Sequence, residues 1–137
     1  MATKSQSLLS QAIMIQKEVE LPVATGTVEG PAVEAGTLVL AAGVELLDTN
    51  DSTDMDLKVT DGATDFMADT TIDALAAGSY VFGTQTQGVI ASADTLDATV
   101  TVTDAPSATS TARVWAIVVS VEEAPTGANE VDRDQLA

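Results

Sequence analysis

An all-β fold, an antiparallel β-sandwich or jelly roll with an extended N-terminal arm, is what this sequence predicts. Three stretches carry that expectation. Thr95 to Thr103 alternates cleanly, with Leu96, Ala98, Val100 and Val102 set against Asp97, Thr99, Thr101 and Thr103, the pattern of a strand with one dry and one wet face. Asp54 to Thr60 repeats it, with Met55, Leu57 and Val59 inward and Asp54, Asp56, Lys58 and Thr60 outward. Thr111 to Val121 has no consistently polar side: Arg113, Trp115, Ile117, Val119 and Val121 point one way, and Ala112, Val114, Ala116, Val118 and Ser120 the other. Such a run fits a strand covered on both faces.

Taken in order, the chain opens on an ambiguous segment, Met1 to Leu21. As a strand it sets Ile13, Ile15, Val19 and Leu21 on one side, with Lys17 breaking the row. As a helix it would align Leu8, Ala12, Ile15 and Val19, capped by Ser5 or Ser7. The β-branched residues gathered after Ala12 favour the extended form, an arm or first strand over residues 1–24. Being apolar and at a chain end, it is a candidate to reach a partner through Leu8, Ile13, Ile15, Val19 and Leu21, and its deletion is expected to weaken assembly more than folding.

The body spans 25–124. Pro22, Gly26, Gly30, Pro31 and Gly36 allow only short extended pieces up to Thr37. Thr37 to Leu40 reads as a strand, Ala41-Ala42-Gly43 as a turn or bulge, and Val44 to Leu47 as the next strand. Asp61-Gly62 closes Asp54 to Thr60 with a tight turn. Asp65 to Ala77 has some helical character, with Thr70 or Thr71 as cap and Gly78 as stop. Tyr80 to Phe82 and Val89 to Ala91 are short strands. Turn formers from Asp104 to Ser110 join the last two strands into what reads as a hairpin. Residues 125–137 read as a polar C-terminal tail that a partner would order. Seven or eight short strands with turns between them suggest a sandwich or jelly roll.

Composition narrows the function. At 137 residues, one domain with its own core is expected. There is no cysteine for disulfides or thiolate metal sites, and no histidine for acid–base work near neutrality. Against 5 basic residues stand 21 acidic ones, a formal charge of −16, which disfavours nucleic-acid backbones and anionic membranes. Hydrophobic residues make up 45% of the chain and fall in periodic runs, so the acidity signals a soluble folded body rather than disorder. No apolar run approaches the ~20 residues that span a bilayer.

Two acidic groups are candidates for chemistry. Asp48, Asp51, Asp54 and Asp56, with Asn50, begin like a calcium loop, but Thr53 and Val59 stand where Gly and Glu are required. Asp61, Asp65, Asp69 and Asp73 supply the carboxylates a glycosidase-like hydrolase needs, with nothing to mark a cleft. No nucleophile elbow, phosphate loop or zinc-protease motif occurs. No catalytic residue, metal or cofactor is expected, and the chain reads as a non-enzyme. Trp115 is expected in the core, and Arg113 in a buried or interfacial ion pair with an aspartate.

Residues Leu38 to Val121 resemble small structural proteins of tailed bacteriophages, several of them capsid decoration (cement) proteins. Three stretches carry the resemblance: GTLVLAAGVELLDTNDSTDMDLKVTDGATDF, VIASADTLDATVTVT and TARVWAIVVSV. The resemblance implies a β-sandwich or jelly-roll subunit, commonly trimeric, that binds the major capsid protein on the outside of the virion and carries no catalytic residues. The alternative is a receptor- or carbohydrate-binding β module of a phage fibre or tail.

Overall fold

A computed structural model describes residues 11–120, and every regular element among them is a strand. In chain order these are β1 (Ala12–Leu21), β2 (Gly26–Val28), β3 (Ala32–Val33), β4 (Thr37–Leu46), β5 (Asp54–Thr60), β6 (Asp65–Thr71), β7 (Tyr80–Val81), β8 (Gly88–Val89), β9 (Asp94–Thr95), β10 (Asp97–Asp104) and β11 (Ser110–Ser120). The first sheet runs β1-β11-β4-β7, with β8 also paired to β4; the second runs β2-β10-β5-β6; β3 and β9 make a small third pair. All pairings are antiparallel.

One core lies between the two large sheets. Met55, Leu57 and Val59 of β5 and Ala98 and Val100 of β10 enter it from the second sheet. Ala112, Val114, Ala116 and Val118 of β11 and Val39, Ala42, Val44 and Leu46 of β4 enter it from the first. Alternation in β5 and β10 therefore marks the true inner face. β10 and β11 do not form the expected hairpin: they belong to opposite sheets, and the turn-forming stretch between them carries the chain across the end of the sandwich, past the buried Pro106. Periodicity reports which face of a strand is dry, and both arrangements bury the same residues.

Two other expectations change. Asp65–Thr71 is a strand, because the Asp61-Gly62 turn returns the chain onto β5 and presents Phe66 and Met67 to the core. In that turn Gly62 holds φ 96°, and Asp61 Oδ1 accepts hydrogen bonds from the amides of Ala63 (2.9 Å) and Thr64 (2.7 Å). Thr37–Leu46 is one strand rather than two, with its register against β11 shifting between Ile117 and Val118. Leu40 is the residue left without a partner, so the bulge falls there, and Ala41-Ala42-Gly43 pair regularly with Ile117, Ala116 and Trp115. Where β4 runs between β7 and β8, two side chains stand in for a neighbouring strand. Gln85 Oε1 accepts from the Ala42 amide at 2.8 Å, and Gln87 Nε2 donates to the Leu40 carbonyl at 3.4 Å.

The N-terminal segment, where described, is part of the first sheet. β1 pairs with β11 from Ala12↔Val119 to Leu21↔Ser110, and Val19 and Leu21 are buried in the common core. The helical stripe does not form over Ala12–Leu21. Lys17 sits on the inward-facing row of this edge strand, a charge that discourages edge-to-edge pairing with another chain. Leu8, Val121 and the polar tail lie outside the described residues.

Gly43 shows how closely the outer side is fitted. A Cβ built there would stand 2.6 Å from Trp115 Cζ2 and 2.8 Å from the Val81 carbonyl oxygen. Gly43→Ala is therefore expected to cost about 1–3 kcal/mol, as overpacking does, with a lowered urea midpoint. An unchanged midpoint would mean that both the Trp115 ring and the Val81 carbonyl give way without cost.

Candidate interaction surface on the outer face of the first sheet

The register places residues in rows across the outer face of the first sheet. Ala12, Val119, Leu38 and Val89 form one row, and Met14, Ile117 and Ala41 the next. Gln16, Trp115 and Gly43 follow, and then Glu18, Arg113, Glu45 and Tyr80. Same-row side chains share a face because strand side chains alternate. The first three rows are almost wholly apolar and the fourth is charged.

Trp115 belongs to this outer face and is half-buried, so it is not the core residue the sequence suggested. β11 is apolar in both rows, and the small residues Ala112, Val114 and Ala116 took the tight inner side. The indole lies across Gly43 and stacks on Phe82, with centroids 5.8 Å apart and planes 10° from parallel, an offset arrangement aromatic pairs favour. Phe82 remains 57% exposed, Tyr80 70% and Met14 57%. Three of the chain's four aromatic residues thus gather on one surface, a clustering hidden in the sequence because Tyr80 and Phe82 lie more than thirty positions from Trp115.

Arg113 closes the apolar area at one border. Its Nη1 lies 2.6 Å from Glu45 Oε1 and its Nη2 3.5 Å from Glu18 Oε2. The ion pair expected for Arg113 exists, with glutamates of the two flanking strands in place of an aspartate. Of the other predicted interface residues, Ile13 and Ile15 line a partly open cleft of about 220 Å³ with Val33, Thr37 and Val118. Val19 and Leu21 serve the core.

The opposite outer face contrasts with this one. On the second sheet Thr27, Thr99 and Lys58 align across the strands, as do Thr101 and Asp56, and the Thr27 and Thr99 hydroxyls bond to each other at 3.0 Å. That side is built for water.

Asp48, Asp51 and Asp73 of the two aspartate groups, and Asp104 outside them, act as loop staples. Asp51 accepts from Ser107 through both amide (2.9 Å) and hydroxyl (2.6 Å), and Asp104 from Thr53 in the same way (3.1 and 2.7 Å). Asp48 takes the Thr111 amide at 3.0 Å, and Asp73 the Met55 amide at 2.8 Å. Buried Asn50 donates to the Ile72 carbonyl at 2.7 Å. Among the described residues, no three carboxylates converge as a metal site would require.

These features define a small β-sandwich with one wet and one apolar outer face. A chain of the solved structure described as a cyanophage Pam1 capsid asymmetric unit is similar to it, with a TM-score of 0.58 and 15% identity over 80% of this chain and 85% of that chain. The similarity is one of fold. No family model matches the sequence, and no curated protein does.

The staples give a pH dependence with a definite sign. The Ser107 hydroxyl, then its amide, holds the Asp51 carboxyl below the ordinary aspartate value; the Thr53 hydroxyl, then its amide, does the same for Asp104. A depressed folded-state pKa stabilises fully above the unfolded value, about 4, and that stabilisation is lost as pH falls through the folded value. Asp51→Asn and Asp104→Asn should therefore lower the urea midpoint at pH 7, with the gap to the unsubstituted chain narrowing below about pH 4. A gap constant with pH would show that the charges do not matter to the loops.

Proposed function

We propose that this chain is a structural subunit of a phage head, a decoration (cement) protein that binds the major capsid protein on the outside of the shell and stabilises it when filled with DNA. The observation that carries this reading is the apolar outer face of the first sheet, unmatched on the second, in a chain whose fold is similar to a chain of a cyanophage capsid. A shell under outward pressure is strengthened by any subunit that adds contact area across its joints. Trimers, as the resemblance implies, would multiply a weak contact by simultaneous engagement. The acidic remainder of the surface keeps particles apart in solution.

A receptor- or carbohydrate-binding module is the second reading, favoured by the gathering of Tyr80, Phe82 and Trp115. Weighing against it, the Trp115 ring is already engaged by Gly43 and Phe82, which leaves only Tyr80 and the outer side of Phe82 open for sugar stacking. Glycan-array binding at micromolar concentrations would favour this module over the capsid role.

The direct test adds purified protein to expanded heads lacking it. The proposal expects saturable binding, with heads that withstand heating or DNA pressure better once coated. No binding, together with absence of the chain from purified virions, would end it.

A further inference from the structure

Resting on the capsid reading, we infer that the outer face of the first sheet is the docking surface, and that its partner is an apolar protein patch bordered by basic side chains rather than a second copy of this chain. The apolar rows are spaced by ~6.7 Å along the strands and the strands by ~4.8 Å, so the patch covers roughly 300–400 Å². That matches the largest apolar patch of a typical monomer, which is often functional, and is about half of what one side of a standard interface buries. One copy alone is thus a weak ligand.

The surface has the residue types that dominate binding energy. Tyr80, Phe82 and Met14 protrude, Trp115 and Ile117 fill the spaces between them, and aromatic residues and Met are enriched at the centres of interfaces. Its border fixes the sign of the partner. Glu18 is 61% exposed along its side chain, Glu20 is exposed beside it on the same strand face, and Arg113 is already committed to Glu45 and Glu18. Approaching charges there meet carboxylates, so basic side chains are drawn in and acidic ones repelled.

That same border argues against a second copy. The chain carries a formal charge of −16. Among the described residues, Arg113 and Lys58 are already ion-paired, which leaves Lys17, exposed but on the opposite row of β1 from Glu18 and Glu20. Little of this chain's described surface can therefore complement Glu18 and Glu20. Contacts between copies fall to other surfaces, such as the cleft at Ile13 and Ile15.

The test measures binding of the full chain to expanded heads lacking it, with sedimentation and urea midpoints recorded for each variant. Tyr80→Ser and Phe82→Ser should each weaken binding at least tenfold, the loss expected of central aromatic anchors, while Thr101→Tyr on the opposite face leaves it unchanged. Glu18→Lys with Glu20→Lys should weaken it further, and added salt should reduce the difference between the charged variants and the unsubstituted chain. If the unsubstituted chain binds and Tyr80→Ser and Phe82→Ser, folded, bind equally well, the docking face is wrong while the capsid role stands. If the lysine variants bind as well or better, the basic partner is wrong. Dissociation of an oligomer by Tyr80→Ser would assign the face to a second copy and overturn the inference. Failure of the unsubstituted chain to bind at all would overturn this inference, and, with the chain also absent from purified virions, the capsid role with it.

Discussion

The molecule depends on the position of β11 in the middle of the first sheet. Hydrogen-bonded to β1 on one side and β4 on the other, it has no free edge, and its two rows are committed to different tasks. The inner row of Ala112, Val114, Ala116 and Val118 is small enough for the second sheet to press Met55, Leu57, Val59 and Val100 against it. The outer row of Arg113, Trp115, Ile117 and Val119 then becomes the middle of the exposed face. Exchanging the rows would place an indole and a guanidinium in the core and alanines outside. The difference in side-chain volume and charge is what decides the orientation.

From that orientation the surface follows. Trp115 must lie over its cross-strand neighbour, which is why Gly43 has no room for a Cβ. Arg113 falls directly between Glu18 and Glu45, so a cation on the central strand is neutralised by the strands that flank it. Phe82, just beyond β7, covers the indole and stands open to solvent itself. A single strand thereby connects the packing of the core to the chemistry of the outer face.

The clean alternation of Met55 to Val59 and of Leu96 to Val102 made the inner face of the second sheet legible in the sequence, and the turn at Asp61-Gly62 was equally plain. Other features were not legible, for physical reasons. A period of two tells which side of a strand is dry and says nothing of which strand lies beside it, so β10 and β11 looked like a hairpin. Asp65 to Ala77 mixes alanine with threonine and aspartate, and its local preference yields to the pairing imposed by the preceding turn. Trp115 lies in a strand apolar on both rows, where only tertiary packing separates core from surface. The patch itself joins residues from positions 12 to 119, and no local pattern reveals such a gathering.

The two outer faces therefore carry different meanings. Threonine, lysine and aspartate on the second sheet keep it hydrated, and aspartates turned onto hydroxyls and amides pin the loops at its ends. The first sheet presents aromatic and aliphatic side chains that water alone would not favour, beside a border of carboxylates. The most direct measurement of this asymmetry is electron microscopy of the native particle at side-chain resolution. The account predicts that Met14, Tyr80 and Phe82 are covered by the shell, with Lys or Arg side chains facing Glu18 and Glu20. Density showing the first sheet turned to solvent and the threonine face of the second sheet against the shell would contradict it.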